Sequence, residues 1–128
     1  MNLYRPFFIM LFLLLFAPFV TASINKSNGI YIYEACSQLL NAESENANQG
    51  DKEALRLWCL GFIKGSVDMV SFINVAVGEK MLFCIPKQVT VTERAGVLVD
   101  YLQQHPDQWN ANKSLLLLYA FAKKYPCG

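Results

Sequence analysis

The chain has 128 residues, with 11 Lys and Arg against 10 Asp and Glu and a single histidine. A net charge near zero lacks the basic footprint that nucleic acid or an anionic membrane surface requires. The length suffices for one domain with one core.

Behind Arg5, residues Phe7 to Val20 form an uninterrupted apolar run followed by Val20-Thr21-Ala22. The run falls short of the roughly 20 apolar residues of a bilayer span. Its flanks are those of a cleaved secretory signal, so residues 1–22 read as a signal peptide and 23–128 as a single helical domain. An uncleaved anchor is the alternative, but no basic stop-transfer cluster follows. Cys36 lies too far downstream for a lipoprotein. Removing Arg5 leaves ten Lys and Arg against ten Asp and Glu. No segment of the mature chain reads as long and apolar enough to span a bilayer, and a soluble exported protein is expected.

Ser23 to Gly29 is polar and turn-forming. Asn28 or Ser27 can cap a first helix over about Ile30 to Asn41, with Ile32, Cys36, Leu39 and Leu40 facing inward. Glu43 to Gly50 reads as an exposed loop. A second, longest helix starts near Asp51 and runs to about Val75. It carries one stripe of Leu55, Cys59, Phe62, Val70 and Ile73, and another of Trp58, Gly61, Gly65 and Phe72. Glycine destabilises a helix by about 1 kcal/mol relative to alanine, so the glycine pair predicts close intramolecular approach of another backbone.

Gly78 ends this helix, and Gly78 to Phe83 is a connector leading to Cys84-Ile85-Pro86. Thr90-Val91-Thr92-Glu93 fits a capping box, opening a third helix with Val91, Ala95, Leu98 and Leu102 on one face. It stops at His105-Pro106, because the residue before proline resists helical geometry. A fourth helix begins between Asp107 and Asn112 and ends at Lys123 and Lys124, where cations favour the dipole. The expected fold is all-α, a compact four-helix domain.

Four cysteines in an exported chain oxidise in pairs, and three connectivities are possible. Folding the first two helices into an antiparallel pair brings Cys36 level with Cys59. Cys84 precedes the third helix and Cys127 follows the fourth, so those ends meet. The expected bridges are Cys36–Cys59 and Cys84–Cys127. Intervals of 22, 24 and 42 residues, without C-x-x-C, do not suit a metal site, and no cofactor is expected.

Catalytic machinery is poorly represented. His105 has no obvious partner set and stands at a helix C-terminus, where imidazolium meets free carbonyls. Ser66, Ser71 and Ser114 lack a nucleophile elbow. Asp68, mid-helix beside the glycines and expected to be partly buried, is a single carboxylate where acid–base chemistry usually employs two. The reading is a binder rather than an enzyme; the hydrolase alternative rests on Asp68 and His105. Tyr and Trp are common interface anchors, but sequence does not sort Tyr31, Tyr33, Trp58, Trp109 and Tyr125 into core and rim.

Several blocks together resemble a known family. Cys59-Leu60-Gly61-Phe62-Ile63-Lys64-Gly65-Ser66-Val67-Asp68 resembles C-x-G-Y/F-I-x-G-x-x-D. Phe83-Cys84-Ile85-Pro86 with Val89-Thr90 resembles F-C-x-P…V-T. Tyr101 to Pro106 resembles Y-L-x-x-H-P, and Tyr125-Pro126-Cys127 a closing F-P-C. Four blocks in order, from about Ile30 to Cys127, are similar to the Rap/Tai group of periplasmic immunity proteins. The resemblance implies a small disulfide-bonded periplasmic protein, often a homodimer. Such a protein binds a peptidoglycan amidase toxin of type VI secretion and occludes its active site. The blocks are scaffold rather than toxin-contact motifs.

A plug of this kind needs a rigid scaffold presenting an exposed loop. The expected contact residues are Glu79, Lys80 and Met81 in the connector tied down at Cys84, with the Glu43–Gly50 loop as runner-up. A reading from another class is a periplasmic chaperone or envelope stress protein of similar helical build. With one histidine, such a protein would titrate little near neutrality.

Overall fold

The computed structural model describes residues 28–41, 49–78 and 80–128. The expected signal peptide and most of the expected Glu43–Gly50 loop lie outside the described residues, and the last two residues assigned to that loop, Gln49 and Gly50, are helical. Among the described residues there are four helices: α1 Gly29–Leu40, α2 Gln49–Val77, α3 Val91–Gln104 and α4 Lys113–Lys124. A single 3-10 turn, Pro106–Gln108, joins α3 to α4. Among the described residues there is no strand, only an isolated bridge between Asn28 and Asn112. The all-α, four-helix expectation holds.

α1, α3 and α4 each start at a side-chain cap. The Asn28 side chain accepts from the Tyr31 N–H at the head of α1, and that of Asn112 from the Ser114 N–H at the head of α4. At α3 the capping box is complete: Glu93 N–H donates to Thr90 Oγ1 at 3.2 Å, and Thr90 N–H to Glu93 Oε2 at 2.7 Å. The Thr90 N–H, and after it the Thr90 hydroxyl donating to Glu93 Oε2 at 2.8 Å, hold the Glu93 carboxyl below its ordinary value of 4.5. Gly78 closes α2 with a positive φ of 69°, a conformation glycine adopts without steric cost, while its N–H bonds Asn74 O.

α1 packs chiefly against α2 and α3, and α4 chiefly against α3. Ile32, Cys36, Cys59, Ile63, Leu98, Leu102, Leu116, Leu117 and Phe121 are fully enclosed. Leu40 does not join the inward stripe of α1; it is exposed, and Tyr31 and Ala35 are buried instead. Gly29 begins α1 under close cover: a Cβ there would stand 2.7 Å from a Leu116 methyl and 2.9 Å from Trp109 O. Its neighbour's Ile30 N–H donates to Trp109 O at 3.2 Å. The start of α1 is thus seated on the turn before α4.

Both expected bridges are present, Cys36–Cys59 and Cys84–Cys127. With sequence separations of 23 and 43, the chain-entropy account gives them about 3 and about 4 kcal/mol.

Thr90→Ala should lower stability by about 1 kcal/mol in urea denaturation. The Glu93 carboxyl has a lowered folded-state pKa. Its contribution is therefore present above the unfolded value and lost as pH falls through the folded one. Glu93→Gln should be less stable than wild type at pH 6, and the difference should shrink toward pH 3.

Candidate functional site

The connector after α2 divides into a pinned and a free part. Phe83 is 3% exposed and meets Phe121 edge-to-face at 5.5 Å. Cys84 is bridged to Cys127, and its N–H donates to Tyr125 O at 2.8 Å. Burial, and then the Glu93 carboxylate, push the Tyr125 phenol up, with Arg94 opposing. A turn closed by Val89 N–H to Pro86 O leads into α3. Just upstream, Lys80, Met81 and Leu82 are exposed. Met81 Sδ lies 3.9 Å from Cys84 Sγ, a van der Waals contact because the bridged sulfur carries no proton.

Of the sequence-selected contact residues, Lys80 and Met81 therefore stand on the free part, and Glu79 lies outside the described residues. Phe83, counted within the connector by sequence, belongs to the core. Leu82, 56% exposed, was not singled out.

The other surface feature is the second half of α2, where the sequence reading needs correction. Twenty-nine residues at 1.5 Å rise make a helix about 43 Å long, against roughly 20 Å for a neighbour of 12 to 14 residues. The neighbours cannot cover it. Within α2 only Cys59 and Ile63 are buried; Ile73, expected to face inward, is exposed. The close backbone approach expected at Gly61 and Gly65 is absent, since a Cβ at either would meet nothing within 4 Å. By length and composition α2 also meets the requirement for a membrane span, with a window of mean hydropathy 1.4. That corrects the expectation that no mature segment does.

Met69, Phe72, Ile73, Val75, Val77, Met81 and Leu82 are all large, apolar and exposed. They line the free end of α2 and the connector that follows it. Between this arm and α4 runs a groove of about 280 Å³, walled by Gly65, Met69 and Val70 on one side and Ser114, Leu117 and Leu118 on the other.

The candidates for catalysis are not brought together. Asp68, expected to be partly buried, is exposed and pairs with Lys64 at 3.5 Å. His105 caps α3 through its backbone N–H to Leu102 O, and its ring lies 4.4 Å from that of Tyr101. Tyr31 is buried against Trp58, Tyr33 stacks on Trp109, and Trp109 Nε1 donates to Leu102 O at 2.8 Å. These aromatics belong to the scaffold. Among the described residues no cysteine is free, and no group of three or more His, Cys, Asp or Glu could hold a metal.

Residues 28–127 match the family model described as Rap1a immunity proteins. No curated protein and no solved structure gives a match.

Three of the α-helical glycines should not respond alike to alanine. Gly61→Ala and Gly65→Ala should each raise the stability of the monomer by about 0.5–1 kcal/mol, since helix propensity improves and nothing is displaced. Gly29→Ala should lower it despite the same propensity gain, because its Cβ meets the Trp109 backbone. Urea denaturation of the three variants at low protein concentration checks the signs.

Proposed function

The chain belongs to the Rap1a immunity protein family, matched over 28–127, and from that premise we propose that it neutralises a peptidoglycan amidase delivered by type VI secretion. An immunity protein acts by binding its cognate effector, so the chemistry asked of this chain is recognition rather than turnover. The setting is the periplasm, where an amidase meets its substrate and where cysteine pairs oxidise.

The observation that carries the mechanism is the half-pinned connector. Phe83 and Cys84 are held from two directions, so the segment before them projects from a fixed base. A loop anchored in this way loses less conformational freedom on entering a cleft than a free one would. Lys80 and Met81, with Glu79, enter the amidase active site and occlude it, and Leu82 adds apolar contact beside them.

The arm of α2 serves a second copy of the same chain. Gly61 and Gly65 leave room for a crossing helix, and Phe72 lies on the same stripe. An isologous pairing would cover both arms at once. The bare arm also gives weight to the chaperone reading, because exposed apolar surface is what client capture uses. The two readings part on selectivity: a chaperone suppresses aggregation of unrelated proteins, and an immunity protein does not.

The product of the adjacent reading frame, if a small Cys/His amidase, should co-purify with this chain. The triple variant Glu79→Lys, Lys80→Glu, Met81→Asp should lose neutralisation of the amidase while its melting temperature stays within about 2 °C of wild type, as expected for surface changes. Retained neutralisation would remove the connector from the mechanism. Phe72→Asp should convert a dimer to a monomer in light scattering; an unchanged mass would show that the arm is not the self-association surface.

A further inference from the structure

The two disulfides occupy different environments. Cys36 and Cys59 have no solvent exposure and sit inside the core cluster. Cys84 is exposed and Cys127 half-buried, at the junction of the connector and the C-terminus. Thiol–disulfide exchange requires a thiolate to reach a bridge sulfur, so access decides which bridge reacts, and exposed bridges are the labile ones. We propose that Cys84–Cys127 is a thiol–disulfide exchange site for a dithiol reductant, opening and closing while Cys36–Cys59 stays oxidised.

A thiolate of the dithiol attacks Sγ of Cys84, the more exposed residue of the pair. The S–S bond breaks, and its electron pair leaves on Cys127 Sγ, which takes up a proton. The second thiol of the reductant, deprotonated, then attacks the mixed disulfide and releases Cys84 as a thiolate that is protonated in turn. Two electrons pass from the dithiol to the bridge, and the reductant ends as a disulfide. The reverse sequence, with an oxidised partner of the same class, restores the bridge.

The fold is built to survive this step. Phe83 keeps its seat against Phe121, and the Cys84 N–H keeps its bond to Tyr125 O, neither of which needs the bridge. α1 and α2 remain joined by the enclosed pair. Opening removes the covalent anchor at the base of the free connector. On the reading of that connector as the inhibitory segment, reduction weakens neutralisation without unfolding the protein.

The experiment is a time course with dithiothreitol on the oxidised mature protein, quenched by alkylation and read by peptide mass mapping alongside helical circular dichroism. Cys84 and Cys127 should be alkylated at least about tenfold faster than Cys36 and Cys59, with helicity unchanged when only the first pair is labelled. Labelling of all four thiols in one phase, or of Cys36 and Cys59 first, would overturn the proposal. So would loss of helicity in the two-thiol species or in a Cys84→Ser/Cys127→Ser variant. If exchange is selective but the two-thiol protein neutralises the amidase as well as the oxidised one, the exchange site stands and the connector reading falls.

Discussion

The structure depends on one mismatch of length, fixed in place by one covalent bond. α2 is about twice as long as any helix it packs against, and Cys59, its eleventh residue, is bridged to Cys36 on α1. The bridge sets which stretch of α2 lies over the core. Residues up to about Ile63 can then find cover, and most of those beyond it cannot. A helix normally hides its apolar stripe against the rest of the domain. Here the stripe continues after the domain has run out, and the bare arm results from geometry rather than from a change in composition.

The same arrangement explains the connector. α2 ends far from the core, at Gly78, and the chain must return to begin α3. It does so by seating Phe83 and bridging Cys84 to the C-terminal segment that carries Tyr125 and Cys127. Residues between those two fixed points have no core to reach, which leaves Lys80, Met81 and Leu82 in solvent. A small domain has limited apolar burial to offset such excursions. A total stability of about 5–15 kcal/mol is typical, and two bridges contributing about 3 to 4 kcal/mol each are a large share of it.

Local chemistry was the legible part. Thr90 and Glu93 announced α3, Asn28 was available as a cap, and Gly78 marked the end of α2. The face of Ala95, Leu98 and Leu102 followed from helical spacing, and the cysteine pairing from folding helices back on one another. Apart from the apolar length of α2, the failures were of cover. Gly61 and Gly65 suggested a close neighbour because glycine in a helix usually has one, but spacing says nothing about whether a neighbour is long enough to arrive. Asp68 and Ile73 were assigned to sheltered surroundings for the same reason, and Leu40 fell on the wrong side of a stripe whose edge depends on the element opposite.

Sequence alone determined the helices, the caps of α1 and α3 and the family, because each is written in residues near one another or in a fixed order of blocks; the cysteine pairing followed once the helices were folded back on one another. Tertiary structure decided exposure: which half of α2 is bare, which bridge is open to solvent, and where the connector stops being core and starts being surface. Those properties belong to the relative lengths and placement of elements. No local pattern encodes them, since an apolar residue reads the same whether or not another helix reaches it.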